Sequence, residues 1–275
     1  MRATRTKKIG VFDSGFGGLD ILRGIVKENS DYDYIYLGDT ARTPYGSRSQ
    51  AIIYEFTKQA IDFFFENNCE LVIIACNTAS AEALRKIQKE YLPRKYPTKK
   101  VLGVLIPAIE EALMKTTSGK IGVIATTATV RSEKFIREIK KRNKNIYVFQ
   151  QACPLLVPIV EAGIIQHDAT NLILKTYLKP LQQKKIDTLI LGCTHYGLLE
   201  NKIKKIVGKK VDLISEARIV PKKLKKYLQN HPEVEITLKK NSRVMFYTTD
   251  LTETFQALGS IFFGKKITVK KVSLR

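Results

Sequence analysis

The chain has 275 residues, long enough for one large α/β unit or two ordinary domains with real cores. Its 44% hydrophobic and 9% aromatic content excludes global disorder, and its 47 Lys and Arg against 26 Asp and Glu leave a net charge of +21. That charge attracts polyanions at low salt, but no paired Cys/His finger, RNP-type aromatic run or recognition helix accompanies it.

In chain order, short β-branched runs alternate with helical stretches, the signature of helices layered on a mainly parallel sheet. The pattern predicts strands at Lys8–Phe12, Tyr34–Leu37, Leu71–Ala75, Val101–Leu105, Lys120–Ala125, Ile146–Gln150, Thr188–Leu191 and Val244–Tyr247. It predicts helices at Leu19–Glu28, Ser49–Asn67, Ala79–Tyr91, Ile106–Lys115, Ser132–Lys141, Ala169–Gln183, Leu198–Val207 and Thr252–Ser260. Lysine-rich helical segments at Asn201–Ile206 and Pro221–Tyr227 carry much of the charge and read as solvated faces. Leu92-Pro-Arg-Lys-Tyr-Pro interrupts the pattern as a hinge or boundary. The N-terminal Met1–Lys8 is charged with no apolar region behind it. The longest apolar runs, such as Leu155–Val160 and Ile186–Leu191, fall well short of the ~20 residues of a membrane span. A soluble cytoplasmic protein is expected.

An internal echo divides the chain. Lys8-Ile-Gly-Val-Phe-Asp13-Ser14 resembles Lys120-Ile-Gly-Val-Ile-Ala-Thr126, and each precedes, some seventy residues on, an apolar strand ending in cysteine: Ala-Cys76-Asn77-Thr78 and Gly-Cys193-Thr194-His195. Two related α/β units follow from this, with ligand-binding strand ends meeting at a common crevice. Two thiols, one from each half, can flank one small molecule. Opposed acid–base groups are what inversion of a carbon centre requires, so the pair reads as the machinery of a racemase. Each cysteine opens a helix, where unsatisfied N–H groups are expected to favour the thiolate.

Other motifs carry less alone. Asp13-Ser14-Gly15-Phe16-Gly17-Gly18 is a tight turn that also exposes N–H groups to an anion, but it is neither G-x-G-x-x-G nor a Walker loop. Gly38–Gly46, including Tyr45-Gly46, is a polar loop equally suited to scaffolding or ligand contact, with Ser47 or Ser49 able to cap the next helix. His195 stands where it can hold or trade a proton with Cys193, and Asp13 where it can serve Cys76 if the fold joins them. Cys69 and Cys153 read as small buried hydrophobes. With no C-x-x-C and three histidines, neither a structural metal site nor a disulfide framework is expected.

Taken together, Gly-Val-Phe-Asp13-Ser14-Gly, Gly-Asp39-Thr-Ala-Arg-Thr-Pro-Tyr45-Gly46, Ala-Cys76-Asn77-Thr78-Ala-Ser and Leu-Gly-Cys193-Thr194-His195-Tyr resemble the glutamate racemases of the aspartate/glutamate racemase family. The resemblance runs from Lys8 to Gly264 and includes Phe246-Tyr-Thr-Thr-Asp; histidine after Cys193-Thr194 favours glutamate over aspartate. It implies two similar α/β domains with mainly parallel sheets and the active site in the cleft between them. The first would be residues 1–100 plus 214–275, and the second 101–213. It further implies cofactor-independent racemisation of glutamate supplying peptidoglycan synthesis, no bound metal, and a homodimer. Cys76 and Cys193 would be the acid–base pair, and Asp13, Ser14, Tyr45, Gly46, Asn77, Thr78, Thr194 and His195 would bind substrate. Thr126 and Thr129 would add contacts, and Glu161 would support His195. Two departures stand out: Gly197 replaces a common proline, and Ser215-Glu216 replaces the usual Asp-Ser, which puts any role for that acidic position in doubt. An aspartate or related amino-acid racemase, or a basic nucleic-acid-binding protein, are the alternative readings.

Overall fold

The computed structural model describes residues 6–274; Met1–Arg5, within the charged N-terminal stretch read above, lie outside the described residues. Among the described residues, ten strands form two parallel sheets. The first contains β1 (Lys8–Asp13), β2 (Tyr34–Gly38), β3 (Cys69–Ile74), β4 (Lys100–Gly103), β9 (Val244–Thr248) and β10 (Val269–Lys271), in the order β10-β9-β2-β1-β3-β4. The second contains β5 (Lys120–Ala125), β6 (Tyr147–Ala152), β7 (Thr188–Gly192) and β8 (Asp212–Ile214), in the order β6-β5-β7-β8. Central strands β1, β2, β3, β5 and β7 are buried almost throughout, as expected where helices cover both faces of a parallel sheet.

The chain completes four strands of the first sheet, crosses at Val104, builds the second sheet, and returns with β9 and β10 to the first. The expected divisions at 100/101 and 213/214 fall inside paired strands. Lys100 to Gly103 all pair with β3, and Ile214 pairs with Ile190, so the sheets part after Gly103 and after Ile214. Within Leu92–Pro97, helical structure continues from Ile87–Tyr91 through Leu92–Lys95, with Pro93 in the first turn of that last piece, and ends at Tyr96 before the turn at Pro97.

Both sheets place a switch point at their centre. In the first, the connection from β1 leads to β2 on one side and that from β3 leads to β4 on the other. In the second, β5 leads to β6 and β7 leads to β8. Crevices open at the carboxyl ends of such neighbouring strands. Asp13 and Cys76 end the first pair; Thr126 and Cys193 follow the second.

The helix Glu216–Asn230 binds the two parts together by packing on Gly18–Glu28. Pro221 lacks the N–H that would bond the Ala217 carbonyl, and Gly24 of the facing helix lies against that oxygen. A Cβ at Gly24 would fall 2.4 Å from it, so only glycine permits this approach. Asn29 Nδ2 donates to the Pro221 carbonyl at 3.1 Å one turn further on.

Candidate active site

The loops after β1 and β7 meet directly. Gly17 packs on Thr194 so closely that a Cβ would lie 2.4 Å from Thr194 Oγ1 and 2.7 Å from the Thr194 carbonyl carbon. Thr194 Oγ1 donates to Asp13 Oδ1 at 3.3 Å, and Gly15 N donates to Asp13 Oδ2 at 3.0 Å. Asp13 is fully buried, and desolvation holds its pKa above the usual carboxylate value, opposed first by the field of His195.

Cys76 stands at the N-cap of Asn77–Glu82. Its Sγ accepts from Ala79 N at 3.4 Å and lies 3.3 Å from Ser14 Oγ. Cys193 stands at the N-cap of the 3₁₀ turn Thr194–Leu199, with Sγ 3.8 Å from His195 Nδ1. His195 Nε2 is 3.1 Å from Glu161 Oε1, and its ring meets Phe262 edge-on at 5.9 Å. Glu161 thus reaches His195 as the resemblance implied.

The expected thiolates are not favoured by these surroundings. Burial pushes the Cys76 thiol up to about 12, and the Asp13 charge adds to it; the Ser14 and Ala79 hydrogen bonds only partly offset this. Burial likewise lifts Cys193 well above its ordinary range, reinforced by the charges of Cys76, Asp13 and Glu216. With the thiols 5% and 8% exposed, desolvation outweighs the helix-end N–H groups. Cys69 and Cys153 are buried and free, as expected.

Hydroxyls join the halves on another side. Thr78 Oγ1 lies 2.9 Å from Thr126 Oγ1 and 3.3 Å from Thr129 Oγ1, and these two are 3.0 Å apart, closing a ring of three. Gly46 packs against Thr126. The Tyr45 ring is buried between Phe12 and Phe56 and its hydroxyl donates to Asp39 Oδ2, so its side chain is committed to the core. Asp39 also takes Arg42 Nε at 2.7 Å and Thr249 Oγ1 at 2.8 Å, which fixes the loop and leaves the Tyr45–Gly46 backbone as what it offers a ligand. Ser49 occupies the N-cap of Gln50–Glu66 without a capping bond.

The structure gives both departures from the family pattern a place. Glu216 is 3% exposed, and its Oε2 accepts from Asn77 Nδ2 at 2.7 Å, so the doubted position contacts a candidate site residue. Gly197 leaves room for Asp20, whose Oδ2 would lie 2.6 Å from a Cβ there. A separate, largely apolar cavity of about 380 Å³, lined by Leu84, Leu102, Leu105, Val220, Leu224 and Tyr227 among others, contains neither of the two cysteines.

Among the described residues, no helix is long and apolar enough to cross a membrane. Comparison with known proteins places the site in context. The family model for Asp/Glu/Hydantoin racemase matches residues 9–220. A glutamate racemase of Aquifex aeolicus is 37% identical over 266 residues, covering 97% of this chain and 98% of its own length. The crystal structure of a glutamate racemase isoform from Bacillus anthracis superposes with a TM-score of 0.90 at 33% identity, covering 98% of each chain. That of the Francisella tularensis glutamate racemase in complex with D-glutamate gives 0.87 at 35% identity, covering 97% of each. The chain belongs to the Asp/Glu/Hydantoin racemase family.

Proposed function

We propose that this protein interconverts L- and D-glutamate without a cofactor, using Cys76 and Cys193 as opposed acid and base. The observation that carries this reading is the pairing of two buried cysteines at the switch points of two sheets whose strand-end loops touch. The glutamate racemases matched over nearly the whole chain, one with D-glutamate bound, support the substrate.

One cysteine, as thiolate, takes the Cα proton and becomes a thiol. The other thiol delivers its proton to the opposite face of the carbanion and becomes the thiolate. The reverse reaction, or exchange with solvent, restores the starting state. Burial favours the protonated form of both thiols, so the one-thiolate state needs a stabilising charge that glutamate can bring. The substrate ammonium, entering beside Asp13, supplies a positive charge that favours the thiolate. The carboxylates need donors, and Ser14, Thr78, Thr126, Thr129 and Thr194 provide hydroxyls around the cysteines. In a site this dry, such contacts stabilise developing charge more strongly than they would in water. Their burial also requires the halves to part for glutamate to enter.

The same reading makes the protein a cytoplasmic homodimer that supplies D-glutamate for peptidoglycan. Circular dichroism tests the activity: with no added cofactor, L- and D-glutamate should each decay to zero optical signal, with L-aspartate unchanged. A stable signal from both glutamate enantiomers would overturn the proposal, and turnover of aspartate alone would reassign the substrate.

A further inference from the structure

Glu216 is a buried carboxyl that the proton transfers above do not use. It opens the helix Glu216–Asn230 immediately after β8, and the close Gly24–Ala217 approach fixes that end of the helix against Gly18–Glu28. Its Oε2 holds Asn77 Nδ2 at 2.7 Å, bridging the end of the second sheet's chain to the residue after Cys76. The remaining polar ends of both groups, Glu216 Oε1 and Asn77 Oδ1, are buried with no hydrogen-bond partner. Unpaired buried polar atoms are costly, so a site that keeps them is shaped for something that binds there.

We infer that Glu216 is a positioning residue: by engaging Asn77 Nδ2 it turns the amide so that its carbonyl Oδ1 is the end presented to the ligand. The inference rests on the racemase reading of the site. Near neutral pH, glutamate carries two carboxylates, which only accept, and one ammonium, which only donates. A carbonyl oxygen can pair with the ammonium alone. The orientation that Glu216 imposes on Asn77 therefore selects which substituent of the stereocentre faces it, while the two cysteines act on the carbon itself.

Glu216 also faces charge. Asp13 at the end of β1 acts on it directly, Asp20 of Gly18–Glu28, Cys193, Thr194 and Ser215 line the same small pocket, and Arg218, on its own helix, is paired with Glu200. Desolvation raises the Glu216 pKa to about 8, with the Asn77 bond opposing and Asp13 adding to the rise. Neutral below that point, the carboxyl becomes a further negative charge acting on Cys193 above it. Racemisation that climbs with pH as a thiolate forms should therefore bend over near pH 8.

The test is the pH dependence of racemisation, followed by circular dichroism with D-glutamate, for wild type, Glu216→Ala and Glu216→Gln. Glu216→Ala, which frees the Asn77 amide, should lower kcat/KM by about thirtyfold, with a raised KM. Glu216→Gln restores an acceptor for Nδ2 without a titrating proton. It should stay within about threefold of wild type at neutral pH and lose the bend near pH 8. A Glu216→Gln profile with the wild-type bend, or a Gln variant as impaired as the Ala variant, overturns the inference even if the Ala variant fails to fold. Wild type without racemisation overturns the underlying reading instead.

Discussion

The two cysteines hold equivalent places in their sheets, yet their surroundings differ in kind. Cys76 is held by a backbone N–H and a serine hydroxyl, with a buried carboxylate, Asp13, nearby. Cys193 is helped only by the His195 backbone N–H of its own turn and faces an imidazole backed by Glu161. The Asp13 charge acts on both thiols; what differs is the serine hydroxyl at Cys76 and the imidazole at Cys193. Equivalent positions with unequal neighbours teach that the strand-end geometry sets where each thiol stands, and the local side chains set what surrounds it.

Removing either thiol should break the comparison most completely. Cys76→Ala and Cys193→Ala should each lower racemisation by about a thousandfold or more, because a single remaining group cannot serve both faces. Near wild-type turnover in either variant, measured by circular dichroism, would show that one side suffices. Next in size is pH. Since burial raises both thiols above their ordinary values, the free enzyme at neutral pH holds one proton too many. Its kcat/KM should rise from about pH 6.5 toward pH 8, by up to about tenfold per unit.

His195→Asn sharpens the contrast between the halves. It should cost about a hundredfold, and because enantiomers have equal energy in water, kcat/KM must fall equally in both directions. The asymmetry should appear elsewhere: with Cα-deuterated substrates, the primary isotope effect should grow in the direction that uses Cys193 as base and stay nearly constant in the other. Smallest is Gly17→Ala, which forces the Thr194 backbone away. It should destabilise the fold by about 1–3 kcal/mol, seen in urea unfolding, and slow both directions alike.

Much of this was legible in the sequence because it is local. The eight predicted strands all exist, and β5 runs from Lys120 to Ala125 as read, since continuous β-branched runs bounded by turns mark buried parallel strands. β8 and β10 were missed because three residues are too few to show a period. Leu156–Glu161 was missed because Pro158 and a short apolar run conceal a helix of six residues. The cysteines and their neighbours were found from the echo between the halves. Tyr45, however, keeps its hydroxyl on Asp39, and Glu216 reaches Asn77 from 139 residues away. No pattern along a chain encodes where a side chain points across a fold.

The ring formed by Thr78, Thr126 and Thr129 bears on how such a site can accept and release an anion. Each hydroxyl hydrogen turns freely about its own C–O bond, so the three can circulate among themselves when the site is empty and swing outward when a carboxylate arrives. No heavy atom need move for that exchange. Thr126 and Thr129 belong to one segment and bond each other at 3.0 Å, whereas Thr78 joins the ring from the other sheet, so two of the three hydroxyls keep their mutual bond whatever the third does.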